Sequence, residues 1–137
     1  MASLTAPPLS PGAIGQSFDA LMEFLRAPDI GPAALSPNRF TRIIGIDLQT
    51  LAAQAHVHRN TLARSPASEG IQRFLREAIR VIRAATDISG DVSRATFWYR
   101  NEPLAAFGYQ TAETLVSEGR TEDVLRYVMS LEAGAAG

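Results

Sequence analysis

His56 and His58 are the only imidazoles in the chain, and cysteine is absent. That composition excludes disulfides, thiolate zinc centres and cysteine nucleophiles. Asp47 is the only carboxylate within ten residues of either histidine, which is too little for a metal-ligand set. No Gly-rich phosphate loop follows a strand pattern, and no Ser-His-Asp arrangement is motivated by spacing. The expectation is therefore a binding protein with no catalytic residue, no metal and no cofactor. What the histidine segment does offer is base-reading chemistry. His58, Arg59, Asn60, Thr61 and Arg64 stand close together. Arg pairs with guanine edges or phosphates, and Asn with adenine.

Those side chains need a scaffold, and the flanking residues supply one. Asp47 reads as the cap of a helix carrying Leu48, Leu51, Ala52 and Ala55. His56–His58 reads as a turn, and Arg59–Arg64 as a short helix ending at Ser65-Pro66. Ala52 and Ala55 leave room for a crossing helix. Val57 would hold the angle from inside the turn, and Leu62 would pack inward. This spacing resembles the helix-turn-helix of Xre and Cro-type repressors over Leu48–Arg64. One residue departs from it. Those repressors usually place Gly where His56 stands, and a left-handed backbone there would be strained. The same pattern also suits a packing unit that makes no contact with DNA.

The remaining pattern is helical. The chain of 137 residues is 46% hydrophobic and 20% charged, a globular composition near the size of one ordinary domain. No apolar run is long enough to span a membrane, no secretory signal is evident, and the lack of cysteine suits the cytoplasm. Six of the eight prolines fall within residues 1–37, which read as an arm with one amphipathic helix at Gln16–Arg26, suited to dock on its own domain or on a second subunit. Residues 38–69 form the helix-turn-helix region. Residues 70–137 follow as a compact helical unit opened by a helix at Glu69–Thr86, whose apolar stripe includes Ile71 and Phe74. Further helices are expected at Asp91–Arg100, Ala112–Glu118 and Glu122–Leu131, with Gly134 closing the last and a small, flexible tail after it. The fold class is all-α, a small helical bundle.

Charge is segregated along the chain. Residues 38–100 carry ten Arg against five carboxylates, whereas residues 101–137 carry two Arg against six. A basic middle and an acidic end suggest two different partners.

The C-terminal stretch is distinctive. Trp98, Asn101, Pro103, Leu104, Gly108, Thr111, Leu115, Gly119, Val124 and Leu125 follow one another in a fixed order. This pattern resembles the toxin-binding domain of the Xre/MbcA/ParS antitoxins, over about Gly70–Leu131. Many members have Pro after the capping Thr, where Ala112 stands here; both suit a first helical position. The resemblance implies an antitoxin whose C-terminal region occludes a RES-domain toxin that consumes NAD⁺. It implies toxin contacts among Trp98, Asn101, Glu102, Pro103, Leu104, Phe107, Gly108, Tyr109 and Thr111. Read without the family, Phe97, Trp98, Leu104, Phe107, Leu115, Val124, Leu125 and Val128 make a small helical core. Asn101, Glu102 and Tyr109 are then loop residues able to meet a basic partner.

Three functions fit these readings. One is an antitoxin that also represses its own operon through operator DNA. Another is an antitoxin whose helix-turn-helix only packs. The third is a stand-alone transcriptional regulator. All three favour a homodimer, with Phe18, Leu21, Leu25, Ile71 and Phe74 as the candidate contact surface.

Overall fold

A computed structural model describes residues 17–136, with side chains through Gly134. Eight α-helices occur among these residues: α1 (Phe18–Leu25), α2 (Pro37–Ile44), α3 (Leu48–Gln54), α4 (Arg59–Arg64), α5 (Glu69–Ser89), α6 (Val92–Asn101), α7 (Ala112–Ser117) and α8 (Thr121–Ala136). A 3-10 turn at Ala105–Phe107 lies between α6 and α7. No strand is present among the described residues, only isolated bridges at Arg26–Leu35 and Leu104–Gln110. The fold is all-α.

Helix α5 is the axis. Its buried residues include Ile71, Phe74, Leu75, Ala78, Ile82 and Ala85, an inward stripe at helical spacing. Helices α6 and α8 pack on it most extensively, and α7 joins them. It runs past the expected end at Thr86 and stops at Ser89, where Gly90 takes a left-handed conformation at φ 75°. One buried cluster extends from Leu21 in α1 to Val128 in α8, so all the helical segments share a core.

Local chemistry sets the boundaries. Ser17, Ser36, Asp47, Asp91 and Thr111 each accept a backbone N–H at the start of a helix. Helix α2 opens with Pro37 at its first turn. Two arginines close helices through side chains. Arg39 donates to the carbonyls of Phe24 and Arg26 at 3.1 and 3.2 Å, at the C-terminal end of α1. Arg100 of α6 donates to the carbonyls of Ile44 and Gly45, at the end of α2.

Several expectations are corrected. Of the two docking places open to the arm's helix, α1 takes its own chain, so the dimer surface drawn on it falls. Leu21, Leu25 and Ile71 are fully buried and Phe74 nearly so, so they are core residues and offer no surface to a second copy. Phe18 is half-buried, with the Arg83 guanidinium 5.5 Å from its ring centroid. Helix α8 passes through Gly134 to Ala136, where a stop and a flexible tail were expected. A single Gly costs about 1 kcal/mol in a helix, and the flanking alanines are the best helix formers. Residues 1–16 of the Pro-rich arm lie outside the described residues, including the expected helix start at Gln16.

Candidate nucleic-acid and protein interfaces

Helices α3 and α4 are joined by the turn Ala55–His58. Leu51, Ala52 and Leu62 are buried, and Val57 is half-buried against the core. The amide of Val57 donates to the Ala52 carbonyl at 3.0 Å, folding the turn back on α3. Asp47 Oδ1 accepts from the Thr50 amide at 2.7 Å. Hydrogen bonds from Thr50 hold the Asp47 carboxyl below its ordinary pKa, and the Arg59 charge adds to them.

His58, Arg59, Asn60, Thr61 and Arg64 are all exposed on α4 or at its cap. Leu62 is the only buried residue of that helix. Among the described residues no carboxylate comes within ion-pair distance of Arg59 or Arg64. Several other arginines of the basic segment have structural tasks. Arg39 and Arg100 cap helices, Arg76 pairs with Glu69 at 2.8 Å, and Arg80 pairs with Glu77 and Glu122. The positive charge left for a partner is therefore narrower than the composition implies, and α4 keeps two of its units.

The segment after α4 is pinned by Gln72, which the sequence reading missed. Its side-chain carbonyl accepts from Leu35 N at 2.8 Å, and its amide donates to the carbonyls of Leu35 and Pro66 at 2.9 and 2.8 Å. A buried Gln with its hydrogen bonds met is a structural bolt. Nothing in its local pattern distinguishes it from a surface Gln.

His56 adopts φ 59°, a left-handed conformation uncommon for an L-residue. Its Nε2–H donates to the Ser117 carbonyl at 2.7 Å, and the Ser117 hydroxyl donates to the Gln54 carbonyl at 2.9 Å.

The second surface lies around α6, the loop to α7, and α8. Leu104 is buried and bolts the loop down. Its amide donates to the Gln110 carbonyl, and its own carbonyl accepts from the Tyr109 amide, both at 2.9 Å. Phe107 is half-buried, edge-on to Tyr127 at 5.7 Å. Thr111 Oγ1 caps α7 through the Thr114 amide. Asn101, Glu102, Pro103, Gly108 and Tyr109 are exposed. Of the nine residues expected to touch a toxin, Leu104 is thus core. Thr111 is a half-buried cap and Trp98 is half-buried.

Trp98 walls an apolar groove of about 260 Å³ with Ala85, Ile88, Ala95, Val128 and Leu131, and Arg94 lines it too. Phe97, expected in the core, is instead 68% exposed. The buried aromatic is Tyr99. Three consecutive aromatics on a helix point about 100° apart, so one of them had to face outward. The signal for which was present: Val92, Ala95, Thr96 and Tyr99 stand at i, i+3, i+4 and i+7, and all four are buried. Every exposed large hydrophobic among the described residues lies in this part of the chain: Ile88, Phe97, Tyr109, Met129 and Leu131.

Among the described residues, two buried side-chain polar atoms have no hydrogen-bond partner, the Tyr99 hydroxyl and Glu113 Oε2. Burial, with a contribution from the Glu113 charge, pushes the Tyr99 pKa up, so the phenol stays neutral. Among the described residues no three His, Asp or Glu side chains stand close enough to hold a metal ion. No helix there is long and apolar enough to cross a membrane. Comparison with protein-family models, with curated proteins and with solved structures gives no match for this chain.

Proposed function

We propose that this chain is an antitoxin that binds and occludes a RES-type NAD⁺-consuming toxin through its C-terminal part and represses its own operon through α4. The mechanism is steric. The chain brings no catalytic group, and its bound surface would deny the toxin its substrate. The observation that carries this reading is the separation of two exposed chemistries. Base-reading side chains with unpaired Arg59 and Arg64 stand on α4, while the large exposed hydrophobic side chains among the described residues all lie within residues 88–131. Exposed large hydrophobics lining a groove, as Ile88 and Leu131 do beside Trp98, suit a protein contact, and unpaired arginines suit phosphate and guanine. The resemblance of the Trp98–Leu125 pattern to antitoxin toxin-binding domains supports the same assignment. The protein would act in the cytoplasm, beside the DNA and the NAD⁺ pool. It would act as a homodimer, because two half-sites on DNA call for a two-fold axis.

Crossed variants test the division of labour. Arg59→Ala with Arg64→Ala should weaken binding to the chain's own promoter and flatten the salt dependence. Each lost phosphate contact lowers the slope by about 0.9. Toxin binding by pull-down should be retained. Phe97→Ser with Tyr109→Ser should do the reverse. If either pair abolished both activities while helicity was kept, the two surfaces would not be separate.

A further inference from the structure

Helix α4 is lightly anchored. It has six residues, buries only Leu62, and packs chiefly on α3. Its presentation therefore depends on α3 and on the turn between them. That turn is strained at His56, an L-residue at φ 59°. It is also tied to a distant part of the chain. His56 caps the last carbonyl of α7, and Ser117, the residue owning that carbonyl, caps the last carbonyl of α3. The final carbonyls of a helix have no partner within it, so each of these short helices supplies what the other lacks. The two bonds span 61 and 63 residues of sequence. Gln72 fixes the other side of α4 through Pro66.

We propose that His56 is a positioning residue: its tie to Ser117 fixes the turn before α4, so the C-terminal part of the chain sets how Arg59, Asn60 and Arg64 are presented to DNA. This rests on the reading of α4 as the DNA contact. The His56 ring itself is spoken for by Ser117, so its effect on DNA would be indirect.

His56→Gly separates the two things His56 does. Glycine adopts a left-handed backbone freely and has no ring. The turn shape is kept and the tie is lost. Affinity for a duplex carrying the protein's own promoter is measured alongside amide hydrogen exchange of α4 and α5. Strain relief offsets the lost bond, so the melting midpoint should stay within about 5 °C of the wild type. The proposal expects Kd to rise about tenfold, the equivalent of one hydrogen bond. The salt slope should be unchanged, because no phosphate contact is removed. Ser117→Ala, which cuts the return bond from within α7, should shift affinity in the same direction. Wild-type affinity in His56→Gly would overturn the proposal, since turn shape alone would then position α4. If the wild-type chain binds no duplex even at low salt, the DNA reading fails and hydrogen exchange decides the tie. Faster exchange in α4 with α5 unchanged upholds it, and unchanged exchange in α4 overturns it.

Discussion

Gln72→Leu removes the one side chain that joins Leu35 to Pro66 while keeping a similar volume in the core. Three hydrogen bonds of 2.8 to 2.9 Å disappear. Pro66 is half-buried and its carbonyl can turn to water. Leu35 is 6% exposed, and its amide and carbonyl make no other hydrogen bond among the described residues. Each buried backbone group left unpaired costs about 1–3 kcal/mol. Burying leucine carbons in place of the amide recovers about 1 kcal/mol. The net loss is about 1–5 kcal/mol, a large share of the roughly 5–15 kcal/mol that holds a domain together. At about 4 °C per kcal/mol, the melting midpoint should fall by roughly 4–20 °C. Far-UV circular dichroism during thermal and urea unfolding reads this directly. Gln49→Leu on the exposed face of α3 is the control and should stay within about 0.5 kcal/mol of wild type. A Gln72→Leu loss below about 1 kcal/mol would refute the account of Gln72 as the bolt behind α4.

Three further outcomes are expected. Tyr109 is 71% exposed at φ 68°, so Tyr109→Asn should raise stability by about 0.5–1 kcal/mol in urea melts while weakening toxin capture. Tyr99→Phe deletes a buried hydroxyl without a partner, and its melting midpoint should equal or exceed that of the wild type. Asp47 and Asp123 have lowered carboxyl pKa values, so their contribution is full above the unfolded-state value near 4 and is lost as pH falls through the lower folded-state values. Asp47→Asn keeps a capping oxygen and should flatten the acid limb of a pH–stability curve while sparing stability at neutral pH.

Much of the fold is written locally. Capping residues such as Asp47 and Thr111 mark helix starts in their own sequence neighbourhood, and the α5 stripe repeats at helical spacing. Leu62 faces inward because its neighbours on α4 are all polar or small. The left-handed backbone at His56 was foreseen only through the resemblance to repressors that place Gly there. The features that escaped depend on long-range pairing. Gln72 meets Leu35, and His56 meets Ser117, across dozens of residues that no local pattern connects. The expected dimer surface failed for a related reason. An amphipathic stripe such as Leu21 and Leu25 states that a face is buried, but says nothing about what buries it. The Phe97-Trp98-Tyr99 run was misassigned by residue type, although the register from Val92 to Tyr99 held the answer. The candidate α4 surface was legible as a set of residue types. Its narrowness was not, because the structural work of Arg39, Arg80 and Arg100 appears only once the helices are packed.

Cellular NAD⁺ is the most direct test of the central claim. The chain is co-expressed with the product of the gene beside its own, and NAD⁺ is compared with cells expressing that product alone. The account predicts that NAD⁺ stays at the level of toxin-free cells and that the two proteins co-purify. NAD⁺ falling equally with and without the chain, and no complex, would contradict it.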